Sequence, residues 1–178
     1  MQENTMKSFS GRALYLDRSD INTDEIIPAK YLTENTKDAL RPHILEDLHL
    51  ERFDVTKDIA GKNVIVTKSN FGCGSSREHA VWVFEVNNIN VVIAESFARI
   101  FRQNMFNCGM LAIELPREDI DSLFSIGPDV NVNVDLEHNL ITAENDKGNS
   151  ISLTFSLNEF DRELVAAGGW LTYADNKY

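Results

Sequence analysis

Hydrophobic and polar residues alternate along the chain with two different periods, which together predict strands separated by helices. Short β-branched runs predict buried strands, and apolar residues three and four positions apart predict helices packed against them. In the first part of the chain we expect strands at 11–16, 62–68, 90–95 and 110–115, and helices at 76–86, at 97–108 with Ser96 as N-cap, and after Pro116. Strands alternating with helices are typical of βαβ units in a parallel sheet, whose ligands bind at the carboxyl ends of the strands.

The last part of the chain is richer in strands. We expect strands at 131–136, 140–143 and 151–155, followed by a final helix that starts near Asn158 and ends at 168–169. Between the first two strands, residues 36–50 show helical spacing that is interrupted at Pro42. We therefore expect one α/β domain over residues 1–178, with a mostly parallel sheet flanked by helices and a β-rich C-terminal section.

Composition and charge exclude several classes of function. The chain has 17 Lys and Arg against 28 Asp and Glu, a net charge of −11, and no basic stripe, so neither nucleic acid nor an anionic membrane is an expected partner. No apolar run approaches the roughly 20 residues of a membrane span, and residues 1–10 lack a signal-peptide core, so we expect a cytoplasmic protein. The two cysteines, Cys73 and Cys108, are too few to hold a structural zinc ion or an iron–sulfur cluster alone.

The most informative stretch is residues 70–77 (NFGCGSSR), called here the serine turn. Its glycines permit close backbone approach or positive φ, and the helix after it offers unsatisfied N–H groups that favour an anion. The hydroxyls of Ser75 and Ser76 add hydrogen bonds, and Arg77 is able to clamp a carboxylate with two. If a serine acts as a base, the same donors stabilise its alkoxide. The alternative is that Ser75 only caps the helix and Arg77 pairs with a surface acid.

Three motifs in order are similar to those of the 3-isopropylmalate dehydratase small-subunit family. They are residues 20–28 (DINTDEIIP), called here the aspartate loop, residues 70–80 (NFGCGSSREHA) and residues 96–101 (SFARIF). This family resembles the C-terminal swivelling domain of aconitase, a mobile β/β/α lid. The resemblance implies that fold, no cofactor on this chain, and a partner large subunit that carries a [4Fe–4S] cluster, in a heterodimer or heterotetramer.

The resemblance also implies roles for individual residues. Ser75 matches the base that removes a carbon-bound proton, and Ser76 and Arg77 match residues that bind a substrate carboxylate and stabilise the alkoxide. Asp24 matches an active-site aspartate that supports an acid/base group of the large subunit; the competing interpretation is an ordinary turn residue. The implied reaction is dehydration and rehydration of a small dicarboxylate, which isomerises 2- and 3-isopropylmalate in leucine biosynthesis.

The substrate's side group is expected to be recognised by residues 28–42, called here the specificity loop. In the resembled family the residues after a Tyr-Leu pair discriminate substrates, and here they are Thr33 and Glu34. A neutral and an acidic residue disfavour a third carboxylate, although Arg41 lies nearby. Isopropylmalate is therefore the first choice, ahead of dimethylmalate or citramalate, with aconitate and homoaconitate third. Two rivals remain: a non-catalytic module that binds carboxylate or phosphate, and a purely structural subunit.

Cys73 and His79 suggest a thiolate nucleophile or a metal ligand only weakly. No third group orients them and no second ligand stands at helical spacing, so we expect Cys73 to pack in the turn and His79 to form a local hydrogen bond.

Overall fold

The structure is a computed structural model that describes residues 7–178. Its strands form one seven-stranded sheet. The strands are β1 (Ser10–Leu16), β2 (Lys62–Thr67), β3 (Val91–Ala94), β4 (Leu111–Glu114), β5 (Val130–Asp135), β6 (Leu140–Asn145) and β7 (Ser150–Thr154). The helices are α1 (Thr23–Ile26), α2 (Lys37–Leu40), α3 (Val55–Asp58), α4 (Glu78–Val86), α5 (Arg99–Asn107), α6 (Arg117–Ser125), α7 (Glu159–Ala167) and α8 (Trp170–Lys177), with 3-10 turns at Ala29–Tyr31 and Arg41–His43.

The sheet has a parallel half and an antiparallel half. Its strand order is β4-β3-β2-β1-β5-β6-β7, with parallel pairing from β4 to β1 and antiparallel pairing from β1 to β7. Strands β3 and β2 are largely buried because helices cover the parallel half, whereas β5 alternates buried and exposed residues. The predicted α/β class with a β-rich C-terminal section is confirmed.

Two helices begin later than predicted. Helix α4 starts at Glu78, and its N-cap is Arg77, which makes no side-chain capping bond, so the alternative that Ser75 caps this helix is wrong. Helix α5 starts at Arg99 with Ala98 as N-cap, so the predicted cap at Ser96 is also wrong. The Ser96 hydroxyl instead accepts a hydrogen bond from the Asn70 N–H at 2.8 Å. Ser96 therefore stabilises the serine turn and does not cap α5.

Helical structure also differs from the prediction elsewhere, since the short helices α1 and α3 were not predicted. Residues 36–50 show helical spacing in the sequence, but they form only the short helix α2, capped by the Thr36 hydroxyl, and the 3-10 turn that contains Pro42. The remainder of this segment is irregular. The chain forms a further helix, α8, beyond the predicted end at 168–169. No helix within residues 7–178 is long and apolar enough to cross a membrane.

An aromatic cluster lies directly beneath the serine turn. Phe71 is 1% exposed, and its ring centroid lies 5.4 Å from that of Phe101 and 6.1 Å from that of Phe84. Phe71 and Phe97 also form a parallel β-bridge. The cluster joins the serine turn to the helices on either side of it, so the turn stands on a packed base.

Candidate active site

The aspartate loop and the serine turn meet at one edge of the sheet. They follow β1 and β2, which are parallel neighbours, so their carboxyl ends lie side by side. The Gly72 N–H donates to the Ile21 carbonyl at 2.8 Å, and the Thr23 N–H donates to the Cys73 carbonyl at 2.9 Å. Backbone hydrogen bonds therefore hold together two segments that are about fifty residues apart in the sequence.

A reciprocal cap fixes the start of α1 in the aspartate loop. The Asn22 side chain accepts from the Glu25 N–H at 3.0 Å, and the Glu25 carboxylate accepts from the Asn22 N–H at 3.2 Å. Arg18 forms an ion pair with the same Glu25 carboxylate. Because both ends of this short turn are satisfied, Thr23 and Asp24 are held in defined positions.

Thr23 links the aspartate loop to the serine turn through its side chain. Its side chain is buried, with the residue 2% exposed, and its hydroxyl donates to the Ser75 carbonyl at 2.7 Å. This bond fixes the backbone of the residue expected to act as base. Sequence reasoning did not single out Thr23; the capping pattern from Asn22 to Glu25 was the signal that the segment is an ordered turn.

Arg77 and Asp24, both predicted site residues, form an ion pair. The Arg77 side chain is only 10% exposed, whereas that of Asp24 is 61% exposed. One guanidinium nitrogen, Nη1, makes the contact with Asp24 and a longer contact of 3.5 Å with the Ile27 carbonyl. Within residues 7–178, Nε and Nη2 of Arg77 have no hydrogen-bond acceptor, so they remain able to bind a carboxylate.

The two serine hydroxyls are exposed at the surface of the turn. Ser75 and Ser76 are both exposed, and neither hydroxyl has a hydrogen-bond partner in the described part of the chain. Gly72 lies below them with a φ of +81°, and a Cβ there would stand 2.3 Å from Cγ of Phe101. A residue with a side chain does not fit at Gly72, so this glycine sets how closely the turn packs on α5.

A cavity of about 220 Å³ lies beside the serine turn and is called here the site cavity. Its lining comes from the aspartate loop and the serine turn (Thr23, Gly72, Gly74, Ser76 and Arg77) and from the start of α5 (Ala98, Arg99, Ile100 and Phe101). The structure thus brings Ser76 and Arg77 into one cavity. Ser75 and Asp24 contact these residues but are not part of its lining.

The specificity loop lies next to α4 and does not line the site cavity. Thr33 and Glu34 are exposed, and the contact to the site is that of the Glu34 carbonyl with Nε2 of His79 at 3.3 Å. Arg41 pairs with Asp38 at 2.7 Å on the surface, so it does not reach back to the serine turn. His79 therefore forms a hydrogen bond, but its partner is 45 residues away in the sequence, so the prediction of a local bond is wrong.

An ion pair anchors the specificity loop to α4. Nζ of Lys37 lies 2.5 Å from a carboxylate oxygen of Glu85, and Lys7 lies 3.2 Å from the other. Burial raises the pKa of Glu85, but the hydrogen bond and charge of Lys37 and the charge of Lys7 outweigh it, and the net pKa is lowered. Glu85 is therefore held as a carboxylate between two cations.

Neither cysteine has the environment of a nucleophile. Burial and the nearby Asp20 carboxylate raise the pKa of Cys73, and burial raises the pKa of Cys108 to about 11. Residues 7–178 contain no group of three or more His, Cys, Asp or Glu side chains placed to hold a metal ion. The donors of this part of the chain do not fit an iron–sulfur cluster.

Comparison with known proteins identifies the class of protein that has this fold and this pair of loops. The model of the family described as the aconitase C-terminal domain matches residues 3–118, which is more than half of the chain. The chain belongs to this family.

Within the family, the chain is similar to small subunits of 3-isopropylmalate dehydratase. The protein of that name from Deinococcus deserti is 40% identical over 88% of this chain and 81% of its own length. That from Methanosarcina mazei is 37% identical over 87% of this chain and 90% of its own length. The crystal structure of 3-isopropylmalate dehydratase from Methanocaldococcus jannaschii superposes with a TM-score of 0.76 at 34% identity, covering 94% of this chain and 93% of that chain.

Proposed function

We propose that the chain is the small subunit of a heteromeric hydro-lyase that isomerises 2-isopropylmalate and 3-isopropylmalate by dehydration and rehydration, in leucine biosynthesis. The observation that carries the proposal is the contact between two separate motifs, in which Asp24 pairs with Arg77 and Thr23 binds the Ser75 carbonyl. The similarity to small subunits named 3-isopropylmalate dehydratase favours this substrate over dimethylmalate, citramalate, homoaconitate or aconitate.

Ser75 is assigned the role of base. The proton next to a carboxylate is weakly acidic, so a serine alkoxide must be stabilised until it accepts that proton. Helix α4 begins three residues later and has no side-chain cap, so its first N–H groups and its dipole are available to a negative charge. The exposed Ser75 hydroxyl with no internal partner in the described residues is consistent with this role.

Arg77 and Ser76 are assigned to the substrate carboxylate. Asp24 and the Ile27 carbonyl hold one nitrogen of the Arg77 guanidinium, so its remaining N–H groups are oriented before the substrate arrives. Burial of the side chain strengthens its charge-assisted hydrogen bonds. Negative charge that develops next to the carboxylate during proton removal is stabilised by the same guanidinium.

The proposal includes a large subunit that carries the [4Fe–4S] cluster and completes the site as a heterodimer or heterotetramer in the cytoplasm. The cluster supplies Lewis-acid chemistry when it is bound to that subunit. In this arrangement residues 1–178 act as one lid domain, and Asp24 meets an acid/base group of the partner. The exposure of Asp24, Ser75 and Ser76 on one edge of the sheet supports a site that needs a second surface.

The test is activity of the chain alone and after mixing with a cluster-bearing large subunit. We expect the isolated chain to be inactive and the mixture to hydrate 2-isopropylmaleate and to convert 2-isopropylmalate. Ser75→Ala in the complex should lower kcat by about a hundredfold to ten-thousandfold, since the base is removed. Ser156→Ala, at an exposed serine far along the chain, is the matched control and should keep full activity.

Each rival makes a different prediction in the same experiment. A binding module would bind a dicarboxylate or phosphate tightly by itself, as measured by calorimetry, and would add nothing to turnover. A purely structural subunit would support turnover equally well with Ser75→Ala. Turnover retained in that variant would contradict the assignment of the base.

A further inference from the structure

Ile100 is an exposed hydrophobic side chain that the protein core does not explain. It is 46% exposed at the second position of α5, although its neighbour Phe101 is 3% exposed. The other large exposed hydrophobic residues of the described chain lie at its C-terminal end: Phe160, Trp170, Leu171 and Tyr178. Ile100 is separate from this group and lines the site cavity.

The position of Ile100 relative to the serine turn is fixed by the backbone. The Ala98 N–H donates to the Phe71 carbonyl at 2.9 Å, and the Phe71 N–H donates to the Ser96 carbonyl at 3.1 Å. On the other side of Ile100, the Phe101 ring lies against Gly72 so closely that no Cβ fits there. The start of α5 and the serine turn therefore form one rigid unit.

The site cavity has both polar and apolar lining residues. Ser76 and Arg77, where a carboxylate is expected, and the exposed Arg99 are its polar and charged side chains, whereas Ala98, Ile100 and Phe101 are apolar. Phe101 is buried and Ala98 is small, so Ile100 offers most of the accessible apolar surface. The substrate of the proposed reaction has the same two parts, since it carries carboxylates and a branched alkyl group on neighbouring carbons.

We propose that Ile100 contacts the isopropyl group of the substrate and is a specificity-determining residue of the reaction. This inference rests on the proposed function and deepens it, because it names the surface that recognises the alkyl group. Burial of both apolar surfaces removes them from water, which favours a large alkyl group over a small one.

The experiment compares 2-isopropylmalate with citramalate, which carries a methyl in place of the isopropyl group, in the reconstituted two-subunit enzyme. For each variant we measure kcat/KM on both substrates and take the ratio, isopropylmalate over citramalate. Ile100→Ser should lower this ratio about tenfold, mainly through a higher KM for isopropylmalate. Ile100→Val, which retains a branched apolar side chain, should change the ratio less than about threefold.

Leu171→Ser is the matched control, because Leu171 is an exposed aliphatic residue, 80% exposed in α8 and outside the site cavity. Its ratio should equal that of the wild type. A role of Ile100 only in contact with the large subunit would reduce both substrates equally and leave the ratio unchanged. An unchanged ratio in Ile100→Ser therefore overturns the inference.

The proposed function is tested by the wild-type enzyme in the same series. If the wild-type complex turns over isopropylmalate and the Ile100→Ser ratio does not move, only the role of Ile100 is wrong. If the wild-type complex does not act on isopropylmalate at all, the proposed function fails and the role of Ile100 fails with it.

Discussion

Replacement of Gly72 by alanine tests whether steric contact with α5 fixes the serine turn. Gly72 has a φ of +81°, and a Cβ built there would lie 2.3 Å from Cγ and 2.6 Å from Cβ of Phe101. Phe101 is itself 3% exposed and packed against Phe71, so it has little room to move. The added methyl group must displace either the turn or the start of α5.

The expected cost has two parts. A residue with a Cβ in the left-handed region loses about 1–2 kcal/mol relative to glycine. An additional carbon in a packed region costs about 1–3 kcal/mol more. We therefore expect Gly72→Ala to lower the free energy of unfolding by about 2–5 kcal/mol, a large fraction of the roughly 5–15 kcal/mol of an ordinary domain.

Gly148→Ala separates the two parts. Gly148 has a φ of +86°, nearly that of Gly72, but a Cβ there would meet nothing within 4 Å. This variant should lose only the backbone part, about 1–2 kcal/mol. Urea unfolding of both variants gives the two free energies, and equal m-values show that the extent of unfolding is the same.

The difference between the two variants is the steric part, about 1–3 kcal/mol. If Gly72→Ala is as stable as Gly148→Ala, contact with Phe101 does not hold the turn, and the argument for a rigid site is wrong. In the reconstituted enzyme, Gly72→Ala should also lower kcat/KM, because displacing a catalytic group by about 1 Å lowers the rate about a hundredfold. Gly148→Ala should leave kcat/KM unchanged.

Three further predictions concern charged groups and thiols. In steady-state kinetics of the complex, Arg77→Lys should lower kcat/KM about 10–100-fold, and Asp24→Asn should lower it less. Equal losses in the two variants would contradict the role of Arg77 in binding the substrate carboxylate. Because burial raises the pKa of Cys108 to about 11, its thiol should react with a disulfide reagent at pH 8 about tenfold more slowly than one with the ordinary pKa of 9, since about a hundredfold less thiolate is partly offset by a more nucleophilic thiolate. Glu85→Gln should cost up to about 1 kcal/mol of unfolding free energy at neutral pH. Since the pKa of Glu85 is lowered from 4.5, this loss should vanish as the pH falls below that range, and a constant loss would contradict the ion pair.

The sequence predicted the strands because each carries a strong local signal. The buried parallel strands are runs of β-branched residues, and β5 alternates buried and exposed residues. The hydrophobic pattern of the sequence is therefore enough to locate these strands. The short helices α1 and α3 and the last helix α8 were missed for physical reasons. Helices α1 and α3 have four residues each, too few for a helical period, and α8 follows a glycine stop signal and buries none of its own residues.

The helix starts were misplaced because tertiary contacts competed with capping preferences. Ser96 has the side chain of a good N-cap, but its hydroxyl binds the Asn70 N–H in the facing turn. Arg77 takes an extended conformation at the start of α4, which leaves Ser75 and Ser76 without a capping role. A local pattern contains no information on such partners, which lie 26 residues apart in the case of Ser96 and Asn70.

The same limit applies to the candidate site. Composition and spacing alone gave an anion-binding turn at Ser75 to Arg77, with a helix cap as the alternative. The partner of Arg77 is Asp24, 53 residues away in the sequence, and only the family resemblance connected the two segments before the structure did. Thr23 and Ile100 were not predicted, because their roles depend on the packing between the aspartate loop, the serine turn and α5.

We expect two features near the proposed site to select against a third carboxylate: Ile100 in the site cavity and Glu34 in the specificity loop. A substrate held by Ser76 and Arg77 would meet the apolar surface of Ile100, where a further carboxylate would lose its hydration unless Arg99, which also lines the cavity, pairs with it. The predicted specificity residue Glu34 is exposed and is joined through its carbonyl to His79, two residues beyond Arg77. In the proposed site, a substrate carboxylate that extends toward Glu34 would approach a like charge. Loss of the Glu34 charge alone leaves the desolvation cost at Ile100, so Glu34→Gln should not create activity on citrate or homocitrate. Activity on either substrate in that single variant would show that charge, and not the apolar surface, excludes them.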